Sequence, residues 1–411
     1  MARPKLIRDI NQSRALLLLK EHGTLSRAAF ARALNLTRAT VTSVAAELLE
    51  QGLVIETGET FVTEGTGRPG QGLKLNPEGA FFVGVAIEVE TLTAVVVNLG
   101  GEIVFRDKVE SSSDAAAVIQ TAAKLVREIV TRRLKKSPRI RGVGFTVPGM
   151  LSPSGLVRLA PLLDWRDVPL GKELARQIPL PIFIENDANA AALAEVYFGS
   201  CTGARNLCLL ILDVGVGAGT IVDRKIFRGG QGYAGEIGHL DLRLKSAGLQ
   251  EGRGFLESVL GRDGLLSRYQ SGGKRIRDLK RLLELLRKGD AGAGAMVNAW
   301  SDWLVLAIRS VADLYNPKLV ILSGRLACLY DFVSSKVVDQ LQARKFPTVD
   351  RLEVRVSSFG ENSSAVGGAA LVYDSLFTVP GVTFSDFMTE PRVGSNPFGT
   401  RNSDVRQDDA R

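Results

Sequence analysis

Apolar residues recur at helical spacing in three short segments near the start of the chain. Residues 11–20 carry Ala15, Leu16, Leu18 and Leu19, and His22-Gly23 then breaks the pattern. Ser26 stands where a second helix would begin, with a hydroxyl suited to accept an unpaired backbone N–H, and that helix runs to about Leu34. After a turn at Asn35-Leu36, Thr37 is another capping residue. The helix RATVTSVAAELLEQ follows, with Val41, Val44, Ala45 and Leu48 on one face, and stops at Gly52. LVIET and FVTE then read as a hairpin about a Gly-Glu turn, GTGRPGQG as a loop and LKLN as a returning strand. Short helices joined by a tight turn, the last one polar on one side, predict a winged helix-turn-helix over residues 1–80.

Beyond Phe81 the pattern changes to strands. FFVGVAIEV and LTAVVVNLGGEIV form an apolar pair of strands with Gly100-Gly101 as a turn, and residues 112–135 have the pattern of an amphipathic helix. IRGVGFTV reads as a buried strand ending at Pro148-Gly149. Residues 179–185 read as another, delivering Asn186 and Asp187 to the start of a small-residue helix. A second series opens near Ala204 with NLCLLILDVGVGAGTIV and continues with a helix over 298–315 and a strand over 318–323. Such alternation predicts an α/β fold, in which polar groups at a strand end beside a helix N-terminus line a ligand crevice. The glycines near 215–219 suit close approach to a phosphate and tight turns equally. From 378 to 411 the chain is rich in Pro, Gly, Ser, Asp and Arg and reads as a disordered tail.

A recognition helix presents its N-terminal residues to base edges in the major groove, which here means Thr37, Arg38, Thr40, Thr42 and Ser43. Arg38 suits bidentate reading of a guanine, and Arg68 in the Gly-Arg-Pro loop suits a narrow minor groove. Charge changes this picture little. The net charge is +8, yet residues 1–80 hold ten Lys/Arg against eight Asp/Glu. The densest basic runs, RRLKKSPRIR and KRIRDLKRLLELLRK, lie elsewhere and read as solvated helix faces. At 411 residues two or three domains are expected. Cys201, Cys208 and Cys328 lack metal or disulfide spacing and read as packing residues. With no apolar run of membrane length and no signal peptide at MARPKLIRDINQSR, the expected location is the cytoplasm, away from membranes.

Taken together, IENDANAAALAE, VGAGTIVDRKIFRGGQGYAGEIGH and GFLE resemble the sugar-binding cleft of the ROK family, which holds sugar kinases and sugar-responsive repressors. The resemblance implies a two-lobed, actin-like sugar-kinase fold over residues 81–377, following the winged helix. It implies that Asp187 matches the kinase general base, that Asn186 contacts a sugar hydroxyl, and that Glu236, His239 and Glu257 grip others. Two departures stand out. Ala86, Glu88, Val89 and Glu90 occupy the place of the family's Asp and Gly-Gly-Thr phosphate turn, where carboxylates repel a triphosphate. Gly248, Gln250 and Phe255 occupy the places of three zinc-binding cysteines. The expectation is therefore a non-enzymatic regulator, most simply a repressor of carbohydrate genes, with operator DNA and a small sugar effector as partners. It needs neither cofactor nor metal and acts as a homodimer or homotetramer. A sugar kinase with an appended DNA-binding domain, and a regulator controlled by a protein partner, remain alternatives.

Overall fold

A computed structural model describes residues 4–61, 70–133, 139–201, 204–240, 254–269, 276, 278–343 and 347–378. They fall into two compact units, one built from the chain up to Gly79 and from Asp374 on, the other from Ala80–Tyr373. The tail expected to be disordered lies, beyond Thr378, outside the described residues.

The first unit opens with helix α1 (Pro4–His22), longer at both ends than its apolar pattern indicated. A two-residue strand β1 (Leu25–Ser26) precedes α2 (Arg27–Leu34) and α3 (Arg38–Glu50). The Ser26 hydroxyl accepts the Ala29 N–H at 3.2 Å, and Asn35 turns the chain in the left-handed region at φ 54°. Leu16, Leu19, Phe30, Leu34, Val41, Val44 and Leu48 close a small apolar core against Val54 and Leu73. The wing differs from the expected pairing. Gly58 and Glu59 make no turn; they belong to one strand β2 (Val54–Phe61), which pairs antiparallel with β3 (Gly70–Leu75). The register shifts between Glu56 and Thr60, so the local turn signal is absorbed as an irregularity within a longer ladder. Residues 374–378 also belong here: Ser13 Oγ donates to the Leu376 carbonyl at 3.0 Å, and Phe377 is buried near Lys20.

The second unit contains the same sheet plan twice. In the first sheet, β4 (Phe81–Ile87) is central. It pairs antiparallel with β5 (Thr91–Asn98), which carries β6 (Ile103–Glu110), while β7 (Ile140–Val147) and β11 (Ile182–Asn186) run parallel on the other side. Between β7 and β11 lie a small antiparallel sheet of β8 (Met150–Leu151), β9 (Val157–Ala160) and β10 (Trp165–Val168), and helix α5 (Leu170–Gln177). Helix α4 (Ala115–Glu128) buries its apolar face on this sheet's core.

The second sheet repeats the plan. Its centre is β12 (Leu207–Leu212), with β13 (Val216–Val222) and β14 (Lys225–Ile226) antiparallel on one side and β15 (Leu319–Ser323) and β16 (Glu353–Val356) parallel on the other. Helices α7 (Phe255–Leu260), α8 (Arg262–Ser267), α9 (Leu279–Arg287), α10 (Ala291–Tyr315) and α11 (Ser334–Gln342) cover one side of it. This is the two-lobed, actin-like arrangement. Helix α6 (Asp187–Tyr197) leaves the first sheet at β11 and packs on β13 of the second.

Small residues permit that seam. A Cβ at Gly219 would strike the Ala188 carbonyl in α6, so this glycine serves close helix packing rather than a phosphate turn. A Cβ at Gly144 would likewise collide with the Gly368 carbonyl in helix α12 (Ser363–Asp374). Gly144→Ala is expected to lower stability by about 1–3 kcal/mol, because neither partner is a side chain that can move aside. A urea unfolding midpoint equal to that of the parent protein would contradict this packing account.

Candidate functional site

Two faces concentrate the chemistry, one in each unit. On α3, Thr37 is the N-cap: its Oγ1 accepts the Thr40 N–H at 3.2 Å and lies 2.9 Å from the Thr40 hydroxyl. Thr42 Oγ1 donates to the Arg38 carbonyl at 2.9 Å, and Ser43 Oγ donates to Glu47 at 3.5 Å. Glu47 is itself held by Arg8 at 2.8 Å and Gln12 at 2.5 Å. The hydroxyls of this face are thus bonded within the helix, and the Arg38 side chain is exposed. Thr37, Arg38, Thr42 and Ser43 are exposed and Thr40 is half-buried. Arg68 lies outside the described residues.

In the second unit a cleft runs between the lobes. Asn186, Asp187, Glu236, His239 and Glu257 all line it, as do Glu88, Asp213, Arg325 and Glu361. Local chemistry fixes each. Asn186 ends β11 and caps α6, its Oδ1 accepting the N–H groups of Ala188 and Asn189 at 2.9 and 3.1 Å. Its Nδ2 donates to the Gly149 carbonyl at 3.2 Å. Asp187 accepts the Ala188 N–H at 2.9 Å. Burial pushes the Asp187 carboxyl up to about 7, against its hydrogen bond to Ala188, with Glu236 and Glu88 adding repulsion. Burial also raises Glu236, opposed by the charge of His239 and aided by Glu257. Glu257, on α7, accepts the Val216 N–H at 3.4 Å, and His239 is exposed at the cleft. These groups form a ring of acceptors around a polar pocket, the arrangement that a molecule with several hydroxyls requires.

Asp213 and Arg325, which also line the cleft, belong to an ion cluster. Arg325 Nε donates to the two carboxylate oxygens of Asp213 at 2.9 and 3.0 Å, and its Nη1 meets Glu90 at 2.9 Å. Arg262 Nη1 meets the other Glu90 oxygen at 2.8 Å. Glu90 follows β4 in the first lobe, whereas both arginines belong to the second, so one carboxylate ties the lobes together. The bond from Arg325 holds the Glu90 carboxyl below the usual carboxylate range. Nearby, burial raises Glu88, which accepts the hydroxyls of Thr91 and Thr93 at 2.7 and 3.3 Å.

A family model, "ROK family", matches residues 82–375. The chain belongs to the ROK family. A second model, "MarR family", matches residues 9–60, the helices and first wing strand of the DNA-binding unit. The chain is 26% identical over 403 residues to the xylose repressor of Caldicellulosiruptor bescii, covering 92% of this chain and 99% of that protein. It matches the crystal structure of a ROK family transcriptional regulator, described as a homologue of the E. coli MLC protein. That match has a TM-score of 0.77 and 26% identity, and covers 90% of this chain and 97% of that one. A glucokinase of Halalkalibacterium halodurans is 29% identical over 313 residues, which is 71% of this chain and 94% of that enzyme. Similarity over nearly the whole length, DNA-binding unit included, makes this chain a DNA-binding transcriptional regulator of the ROK type.

The zinc motif of the family does not fit. Gly248, Gln250 and Phe255 stand in place of its cysteines, and Cys201 and Cys208 are buried elsewhere. Among the described residues, no group of three or more His, Cys, Asp or Glu side chains could hold a metal ion. No helix among them is long and apolar enough to cross a membrane. Sequence reasoning placed Glu185 at the strand end and Gly324-Arg325 near the nucleotide stretch of family kinases without finding a partner for either side chain, and it did not single out Arg228 or Arg262. Each stands beside a recognised motif, but its partner lies 43 to 235 residues away, beyond the reach of local spacing.

Proposed function

We propose that this regulator is a cytoplasmic repressor of carbohydrate uptake or catabolism genes, released or tightened on its operator by a small sugar bound in the cleft. Asn186, Asp187, Glu236, His239 and Glu257 supply the sugar contacts; Thr37, Arg38, Thr40, Thr42, Ser43 and Arg68 supply the DNA contacts. A homodimer or homotetramer presents paired recognition helices to successive major grooves of a pseudo-palindromic site. A 100-fold change in DNA affinity requires about 2.7 kcal/mol of coupling, within the reach of one ligand that binds two states differently.

The observation that carries the non-enzymatic part is the Glu90–Arg325–Asp213 cluster. Phosphoryl transfer needs phosphates held and neutralised beside the base. Here the arginines are already neutralised by carboxylates of the chain itself, and Glu88 adds another acid. A second reading, sugar kinase, is favoured by Asp187, whose raised carboxyl suits a base. The separating experiment is an ADP-release assay with ATP, magnesium and the sugars that the protein binds. Sugar binding without turnover is expected, and sustained ADP release that Asp187→Ala removes would establish the kinase instead.

A further inference from the structure

Glu185 immediately precedes the Asn186–Asp187 pair and is only 7% exposed. Its carboxylate joins three pieces of the site. Oε1 accepts the Asn186 backbone N–H at 2.9 Å and the Asn189 side-chain amide at 3.2 Å. Oε2 accepts Arg228 through Nε at 2.8 Å and Nη2 at 2.6 Å. A buried carboxylate is tolerated when its oxygens are filled in this way, and a two-point guanidinium contact fixes orientation as well as charge.

Arg228 opens the loop that leads from β14 to Glu236 and His239. That loop contains Gly229, Gly230, Gly232 and Gly235, three of them at positive φ, so its backbone has little stiffness of its own. Three anchors hold it among the described residues. The Ala218 N–H donates to the Gly235 carbonyl at 2.8 Å, the Ala234 N–H donates to the Arg228 carbonyl at 3.1 Å, and the Arg228 side chain grips Glu185. The first anchor belongs to the second lobe. The last ties the loop to the first lobe's strand end. Neither Arg228 nor Glu185 is among the residues that line the cleft.

We infer that Arg228 is a positioning residue of the sugar site, whose ion pair with Glu185 holds the loop bearing Glu236 and His239 against the strand end bearing Asn186 and Asp187. The inference rests on the sugar reading of the cleft. Without the pair the loop retains its backbone anchors, but the two halves of the ring are no longer held in register. Binding a small polyol then includes the cost of ordering them.

The test uses the full chain and a panel of pentoses, hexoses and amino sugars that includes D-xylose and D-glucose, the sugars in the names of its xylose-repressor and glucokinase relatives. Calorimetric Kd values and unfolding midpoints are compared for the parent, Arg228→Lys, Arg228→Gln, Glu185→Gln and the Glu185→Gln/Arg228→Gln double variant. Arg228→Gln is expected to weaken the sugar that binds by roughly tenfold or more. Arg228→Lys should retain part of the affinity, and the double variant should lose no more than either single one, the mark of a coupled pair. Should Arg228→Gln fold poorly because it strands a buried carboxylate, the double variant, uncharged at both positions, carries the same expectation. Unchanged Kd in folded Arg228→Gln, or additive losses, overturns the inference and leaves the sugar reading intact. Failure of the parent to bind any sugar of the panel overturns both.

Discussion

Asp187→Ala is expected to weaken sugar binding by roughly 10- to 150-fold and to leave operator binding without sugar unchanged. The magnitude follows from removing a charged acceptor that a sugar hydroxyl would meet, worth about 1.5–3 kcal/mol. The sign of its pH dependence also follows. Burial raises this carboxyl from 3.8 to about 7, so near neutral pH the group is partly protonated before ligand arrives. A hydroxyl donating to the carboxylate favours the ionised form, and sugar affinity should therefore rise as pH increases through about 7. Asp187→Asn should flatten that dependence. Stability behaves oppositely: a folded pKa above the unfolded one gives a contribution fully present below about pH 4 and lost as pH rises through about 7. Calorimetric titrations across pH 6–8 check both, and a parent whose affinity falls with pH would remove Asp187 from the contact set.

Arg38→Ala is expected to cost about 1–3 kcal/mol of operator affinity and to relax discrimination at one base pair. The side chain is exposed in the first turn of α3, while its threonine and serine neighbours have hydroxyls bonded within the helix. Base reading and phosphate contact differ in their signature. Loss confined to the operator identifies a base contact; equal loss on random DNA at the same salt identifies a phosphate contact and would refute the guanine assignment.

The DNA-binding unit was legible wherever its determinants are local. Ser26 and Thr37 cap helices through atoms three residues away, and Val41, Val44, Ala45 and Leu48 are buried as their spacing required. Where pairing decides, local signals misled. Gly58-Glu59 has the composition of a turn, but the ladder to β3 continues through it, and β1 is too short to leave a periodic trace. In the cleft, Asn186, Asp187, Glu236, His239 and Glu257 could be named because END, GEIGH and FLE resemble the family's sugar-binding motifs, and these five do line one pocket. The glycines of VGAGTIV could not be assigned from sequence. The need for Gly219 arises from the α6 backbone crossing β13, a contact between the lobes. Glu88, Val89 and Glu90 stood out in the sequence against the Gly-Gly-Thr turn that the family resemblance implies. That Arg262 and Arg325 of the other lobe pair with Glu90 was not visible.

The central claim is that one molecule reads both a sugar and an operator. Its most direct test is fluorescence anisotropy of the full chain on DNA from upstream of its own gene, at fixed salt, across a panel of pentoses, hexoses and amino sugars. The account predicts specific binding that one unphosphorylated sugar shifts by tenfold or more, with the shift abolished by Asp187→Ala. Specific DNA binding that no sugar moves, although a sugar is shown by calorimetry to occupy the cleft, would contradict it.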